Sequence, residues 1–285
     1  MTVSSMELRP LAGALGAEVF GLDLSRPLDD PAFAALEKAF LDFGVLCIRD
    51  QKLSHQQQVD FARRFGELDI HPIVHGTDEL PELVRVLKPA GQSASFGVGW
   101  HSDNSFFEKP SLGSVLYGVT IPPYGGDTLY ASMERAYEAL SGPMQEFLAP
   151  LRAVHSASRA YDPKVTGEHK YRGEAPISYR YDEQAIYAEV EHPVIRTHPR
   201  TGRRSVFVNQ MFTQRIVGLA EAESRAVLDF LFAQCVRPDF TCRVRWQPGT
   251  VTMWDNRSVQ HYAMDDYQAF ERLMYRVTIQ GDRPV

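Results

Sequence analysis

The stretch Thr241-Cys242-Arg243-Val244-Arg245-Trp246, followed by Gln247-Pro248-Gly249 and Thr250-Val251-Thr252-Met253-Trp254, decides what kind of fold the chain can form. Polar and apolar residues alternate through 243–246, the period of a half-buried strand, and Pro248-Gly249 is a turn signal before a second β-branched run. Further short strand candidates lie outward at 17–20, 83–86, 114–117, 194–197, 205–208 and 275–279, and the apolar run at 44–49, bounded by Gly44 and Asp50, reads as a buried strand. Helix signals are fewer. Asp29-Asp30-Pro31 opens a run in which Phe33, Leu36, Phe40 and Leu41 fall at helical spacing. Ser54 and Gln57 form a capping box ahead of Val59, Phe61, Ala62 and Phe65, and further helices start near Ser132 and Ala220. Many short strands and a few helices predict a mainly β chain with flanking helices (α+β), built on a jelly-roll-like barrel.

The 285 residues, 44% hydrophobic and 23% charged, have ordinary globular composition and need no disulfide staples. No repeat or linker divides them, so a single domain over 1–285 is expected. Two stretches, 71–99 and 156–190, are polar, aromatic and long enough to be functional loops, and the second carries Tyr161, Tyr171, Tyr179, Tyr181 and Tyr187. Lys plus Arg total 30 against 36 Asp plus Glu, and the net charge of −6 argues against nucleic acid or an anionic membrane as partner. No run of 18 uncharged apolar residues predicts a membrane span. Cys47, Cys235 and Cys242 show no CxxC spacing, which speaks against a disulfide framework or thiolate zinc site. With no basic flank and apolar core at the N-terminus, a cytoplasmic location is expected.

The chemistry concentrates in His101-Ser102-Asp103, which is the sole His-x-Asp of the chain. At strand spacing the imidazole and carboxylate share a face. One more imidazole would complete a two-His, one-carboxylate facial triad on non-haem iron, whereas a lone tripeptide of this kind is more often an ordinary surface pair. A candidate third ligand, His261, follows the apolar strand and polar turn of Trp254-Asp255-Asn256-Arg257-Ser258-Val259-Gln260. Further on, Arg272 and Arg276 stand four apart on one face of a strand, and two guanidiniums lining one pocket call for anions. A zinc hydrolase also uses two His and a carboxylate, but usually with a general-base Glu nearby, and none stands beside His101 or His261.

Together with Leu15-Gly16-Ala17-Glu18-Val19, Gly125-Gly126-Asp127-Thr128, His198-Pro199 and Val208-Asn209, these motifs resemble the taurine dioxygenase / 2,4-D dioxygenase family of Fe(II)- and 2-oxoglutarate-dependent oxygenases, over most of the chain. The resemblance implies a double-stranded β-helix (jelly-roll) fold and His101, Asp103 and His261 as catalytic iron ligands. It assigns Arg272 and Thr128 to the distal carboxylate of 2-oxoglutarate. Arg276, His71 and Phe212 match substrate-contacting positions. The implied reaction uses O2 to hydroxylate a small organic anion (a sulfonate, alkyl sulfate or aryloxyalkanoate) while 2-oxoglutarate becomes succinate and CO2. Asp103 disfavours the halogenating relatives, which leave that position to halide. Taurine dioxygenases carry an asparagine four residues before the first iron histidine; Gly97 here opens volume and points to a bulkier substrate. A homo-oligomer, dimer or tetramer, is the family habit. The alternative is a non-catalytic binder of 2-oxoglutarate or another anion on the same fold.

Overall fold

The computed structural model describes residues 6–92, 97, 99–166 and 179–285. Parts of both expected loops, including Ser93, Ala94, Ser95, Phe96, Val98 and Tyr171, lie outside the described residues.

The first half of the chain lays down strands β1 (Glu7–Pro10), β2 (Ala17–Phe20) and β3 (Val45–Ile48), with helix α1 (Asp30–Phe43) between the last two. Asp29 caps α1 by accepting a hydrogen bond from the Ala32 amide, and Gly44, in the left-handed region at φ 68°, ends it. Helix α2 (His55–Arg63) begins with the reciprocal Ser54–Gln57 capping box that the spacing predicts. Then come β4 (Leu83–Lys88), β5 (Gly113–Thr120), β6 (Thr128–Ser132), α3 (Met133–Glu138), α4 (Gly142–Leu148) and β7 (Arg152–His155). Three one-turn helices follow, α5 (Ser158–Tyr161), α6 (Pro163–Thr166) and α7 (Glu183–Tyr187). The remainder is β8 (Val190–Pro193), β9 (Ile195–Thr197), β10 (Arg204–Val206), β11 (Thr213–Ile216), α8 (Glu221–Cys235), β12 (Thr241–Val244), β13 (Val251–Asp255), β14 (Val259–Ala263) and β15 (Arg272–Ile279).

A seven-stranded sheet, ordered β1-β2-β3-β13-β5-β15-β4, faces a smaller sheet ordered β12-β6-β14. This is the β-rich jelly-roll core. Strand β3 shows how the faces are used: all four of its residues are buried, unlike those of a half-buried strand. Leu46 and Ile48 pack outward against Leu36, Phe40 and Val59 of α1 and α2. Val45 and Cys47 pack inward with Tyr130, Val244, Trp254 and Val259 between the two sheets. The opening stretch folds as two strands, but in different sheets, with β12 beside β6 and β13 between β3 and β5. Its Pro-Gly turn therefore carries the chain across the barrel rather than closing a hairpin.

The described parts of the two expected loops contain regular elements. The first contains β4, and the second contains α5, α6 and α7. They are tied together where Val74 bridges Tyr179 and the Arg180 guanidinium donates to the Pro72 carbonyl.

Candidate active site

His101 and His261 stand opposite one another as a single antiparallel bridge. The amide of His101 donates to the carbonyl of His261 at 3.1 Å, and that of His261 returns the bond at 2.8 Å. His261 belongs to β14, whereas His101 is isolated from any longer strand. Immediately after it the chain turns through Asn104, at φ 55°, a conformation asparagine tolerates. The shared-face expectation for His101 and Asp103 thus holds for their direction, but a turn rather than a strand produces it.

The Asp103 Oδ1 atom lies 3.7 Å from Nε2 of His101 and 3.8 Å from Nε2 of His261. All three side chains are buried, and their donor atoms fall within 4.8 Å of one another. The spacings are too long for hydrogen bonds and suit three donors converging on a shared ion. Two neutral imidazole nitrogens and one carboxylate are the donor set of non-haem Fe(II) sites. The tautomer at His101 fits as well. Its Nδ1 sits 2.8 Å from the Gly99 carbonyl, so the proton resides there and Nε2 keeps its lone pair. Burial holds both histidines neutral, with His261 pushed down to about 3.

Asp103 is held from several sides. Ser114 donates to Oδ2 at 2.7 Å, Asn256 approaches the same oxygen at 3.4 Å, and Arg276 donates to Oδ1 at 3.2 Å. Burial alone would raise this carboxyl, but His261, Arg276 and His101 hold it well below the usual carboxylate range. Asn256 is itself oriented, its Oδ1 accepting from the Asp103 amide and from the Trp254 indole, each at 3.0 Å. Its neighbours in the β13–β14 turn do a different job. Asp255 accepts from Arg257 and from His198 Nε2 at 3.0 Å, forming a buried ion cluster behind the triad.

Two cavities meet at His101 and Arg276. The inner one is lined by Thr128, Trp254, His261, Arg272 and Met274. Arg272 is 6% exposed, its Nε has no partner, and among the described residues no carboxylate pairs with it. Its guanidinium lies against the rings of Tyr267 and Trp246, and the Trp246 indole donates to Thr128 Oγ1 at 2.9 Å. An unpaired buried cation beside a hydroxyl is a ready carboxylate site. The outer cleft, about 400 Å³, is lined by Arg159, Tyr161, Tyr179, Gln210 and Phe212. Phe212 is buried with its ring edge-on to His101 at 6.0 Å, where a pocket wall would stand.

His71 is buried and hydrogen-bonded at both ring nitrogens. Its Nδ1 accepts from the Ile73 and Val74 amides at 3.0 and 3.1 Å, and Nε2 donates to Asn104 Oδ1 at 3.0 Å. The ring thus positions Asn104, which lines the cleft. His198 repeats the device, with Nδ1 accepting from the Arg200 and Thr201 amides. Each of these histidines precedes a proline, and that dipeptide is the signal for such a turn. Sequence reasoning also missed Ser114, Asn104, Trp246, Arg159 and Gln210, which lie on no recognisable motif. Asn256 was quoted within its motif without a role.

The taurine catabolism dioxygenase TauD, TfdA family model matches residues 7–278. An alkylsulfatase of Acinetobacter baylyi is 36% identical, over 97% of this chain and 86% of its own. An alpha-ketoglutarate-dependent sulfate ester dioxygenase of Pseudomonas putida is 35% identical, over 98% of this chain and 91% of its own. The crystal structure of a taurine dioxygenase from Burkholderia xenovorans superposes with a TM-score of 0.82 at 37% identity, covering 99% of this chain and 93% of that one. The chain belongs to the TauD, TfdA family of dioxygenases.

Proposed function

We propose that this protein is an Fe(II)- and 2-oxoglutarate-dependent dioxygenase that oxidises organic sulfate esters, releasing sulfate. The observation that carries the reading is Arg272, buried and without a carboxylate in a cavity that opens onto the His-Asp-His cluster. His101, Asp103 and His261 hold the iron. Iron with bound 2-oxoglutarate supplies the oxidising power, drawn from O2, to hydroxylate a C–H bond, with succinate and CO2 as coproducts. Arg272 and Thr128 bind the distal carboxylate of 2-oxoglutarate through a guanidinium fork and a hydroxyl. Arg276, beside Asp103 in the cleft, is the cation that meets the substrate's anionic group, and Phe212 packs on the adjoining carbon chain. The apolar wall excludes water around the reacting carbon.

Sulfate esters are favoured over taurine for two reasons. Gly97 leaves space at the junction of the cavities, where a Cβ would meet nothing closer than His101 at 3.6 Å. Among the described cleft residues the sole acid is Asp103, which is engaged by Arg276 and Ser114, so an ammonium group finds no free carboxylate among them. Hydroxylation at the carbon bearing the ester oxygen gives a C–OH that loses its proton. The C=O bond forms as the C–O bond to sulfate breaks, leaving an aldehyde.

The reading extends to a single domain, since the large sheet takes strands from β1 to β15 across the chain. It also places the protein in the cytoplasm with neither nucleic acid nor membrane as partner. The net charge of −6, three buried free cysteines and the lack of a membrane-crossing helix among the described residues support this. The test is substrate-dependent succinate release under Fe(II) and ascorbate with a panel of alkyl sulfates, sulfonates and aryloxy acids. Sulfate and aldehyde should appear in step with succinate for the alkyl sulfates. Succinate triggered only by aryloxy acids would overturn the substrate class, and none with any anion would favour a binding protein.

A further inference from the structure

Exposed arginines in this protein mostly hold a carboxylate, as Arg215 holds Glu189 and Arg200 holds Glu37. Arg159 does not. It stands on α5 at the wall of the outer cleft, and among the described residues its one hydrogen bond, at 2.9 Å, runs from NH1 to the Thr213 carbonyl. Thr213 directly follows Phe212, so the bond moors the guanidinium to the segment that forms the apolar wall. One of five N–H donors is used there, and the rest of the fork is available. Partial burial and the like charge of Arg225 lower its pKa, and among the described residues no carboxylate pairs with it. The cleft thus has cations at two places, Arg276 beside the triad and Arg159 beyond Phe212. Its one described carboxylate, Asp103, is spent on Arg276 and Ser114.

We propose that Arg159 is a second anion anchor in the cleft, which selects substrates carrying a sulfate ester at one end and a carboxylate or similar acid at the other. This rests on the sulfate-ester reading for the identity of the first group. The apolar chain between the two acids lies along Phe212 and Met211, which also line the cleft. A guanidinium presented edge-on suits a carboxylate bidentately, which a lysine at the same place would not reproduce. The Tyr179 and Gln210 side chains, also in the cleft wall, are further polar groups within the same chamber.

The experiment compares hexyl sulfate with 6-sulfooxyhexanoate, which differ in the distal carboxylate, by anaerobic titration calorimetry on protein loaded with Fe(II) and 2-oxoglutarate. Succinate release is measured in parallel. Wild type should bind the dianion about tenfold more tightly than the monoanion. Arg159→Gln should remove that advantage and leave hexyl sulfate within about twofold. Arg159→Lys should restore part of it. A wild type without preference for the dianion, equal weakening of both ligands in Arg159→Gln, or no binding of either ligand overturns the proposal. Selective binding without succinate release from either compound would instead overturn the sulfate-ester oxidation and leave the anchor standing.

Discussion

The inner pocket and the outer cleft share His101 and Arg276 yet are built in different ways. Thr128, His261 and Arg272 of the inner pocket project from β6, β14 and β15, strands whose backbones are fixed by ladders on neighbouring strands. The outer cleft is assembled from a turn, one-turn helices and segments between strands, with Gly97, Arg159, Tyr179 and Gln210 on its wall. On the proposed assignment, a cosubstrate whose chemistry does not vary would meet side chains on rigid elements, and the variable substrate would meet segments that can change without disturbing the barrel.

Substitutions should separate the two regions. The largest effect is expected at their junction. Residues that merely support metal ligands cost about 10–100-fold in affinity or activity when lost. Asp103→Ala removes a ligand and the partner of Arg276 together, so substrate-dependent succinate release should fall to background; appreciable coupled turnover would remove Asp103 from the triad. Next comes Arg272→Ala, which should raise the KM for 2-oxoglutarate on the order of a hundredfold, the cost of stranding one member of a buried charge pair. Arg276→Ala should act mainly on the KM of the sulfate ester. If each arginine change weakens both ligands alike, the division between pocket and cleft fails. Asn256→Ala should cost about 10–100-fold in iron affinity, read by metal titration, with little change in selectivity among substrates.

A smaller effect is expected at Gly97. Its φ of 76° suits asparagine better than other side chains, so Gly97→Asn should fold and fill the junction. It should lower kcat/KM for long alkyl sulfates relative to short ones by about tenfold, the scale of pocket discrimination by a methylene or two. The smallest effect is one of pH on the support of the cleft. Burial pushes His192 down to about 4 and His155 well below its ordinary value. These rings hold Phe107 and Ser105 in the segment following the triad aspartate. The unfolded chain takes protons on histidine near 6.5, so between that pH and the lowered folded values it binds more of them than the native state. Stability is therefore full above pH 6.5 and declines as pH falls. At pH 5.5 the loss is about 1 kcal/mol for each histidine. Melting temperatures from pH 7.5 to 5 read it, and His192→Gln should flatten the slope.

What was legible in the sequence follows the same division. The triad, Arg272 and Thr128 sit in short motifs because one strand or turn presents each of them, and local spacing then determines direction. Asn256 stands in a quoted motif, but its task depends on Asp103, which only the closed barrel brings to it. Arg159 has no local signature at all, since a carbonyl from β11 and the lack of a paired acid among the described residues give it meaning. At His71 the motif position suggests a ligand contact, and only the folded chain adds the two amides after Pro72 that donate to Nδ1. The strand at 205–208 is a further case: it is regular only through Val206, although the Phe207 amide still donates to Val194, the next residue in register with β9.

The two-residue bridge between His101 and His261 joins parts of the chain that lie far apart in sequence. An ion gripping both imidazoles is therefore a staple as well as a reagent. It ties a large loop shut and binds only when the barrel has closed, so its binding free energy adds to that of folding. Chelation would accordingly soften the whole sandwich rather than only silence the site, and a cell short of iron would hold less of this protein as well as a less active one.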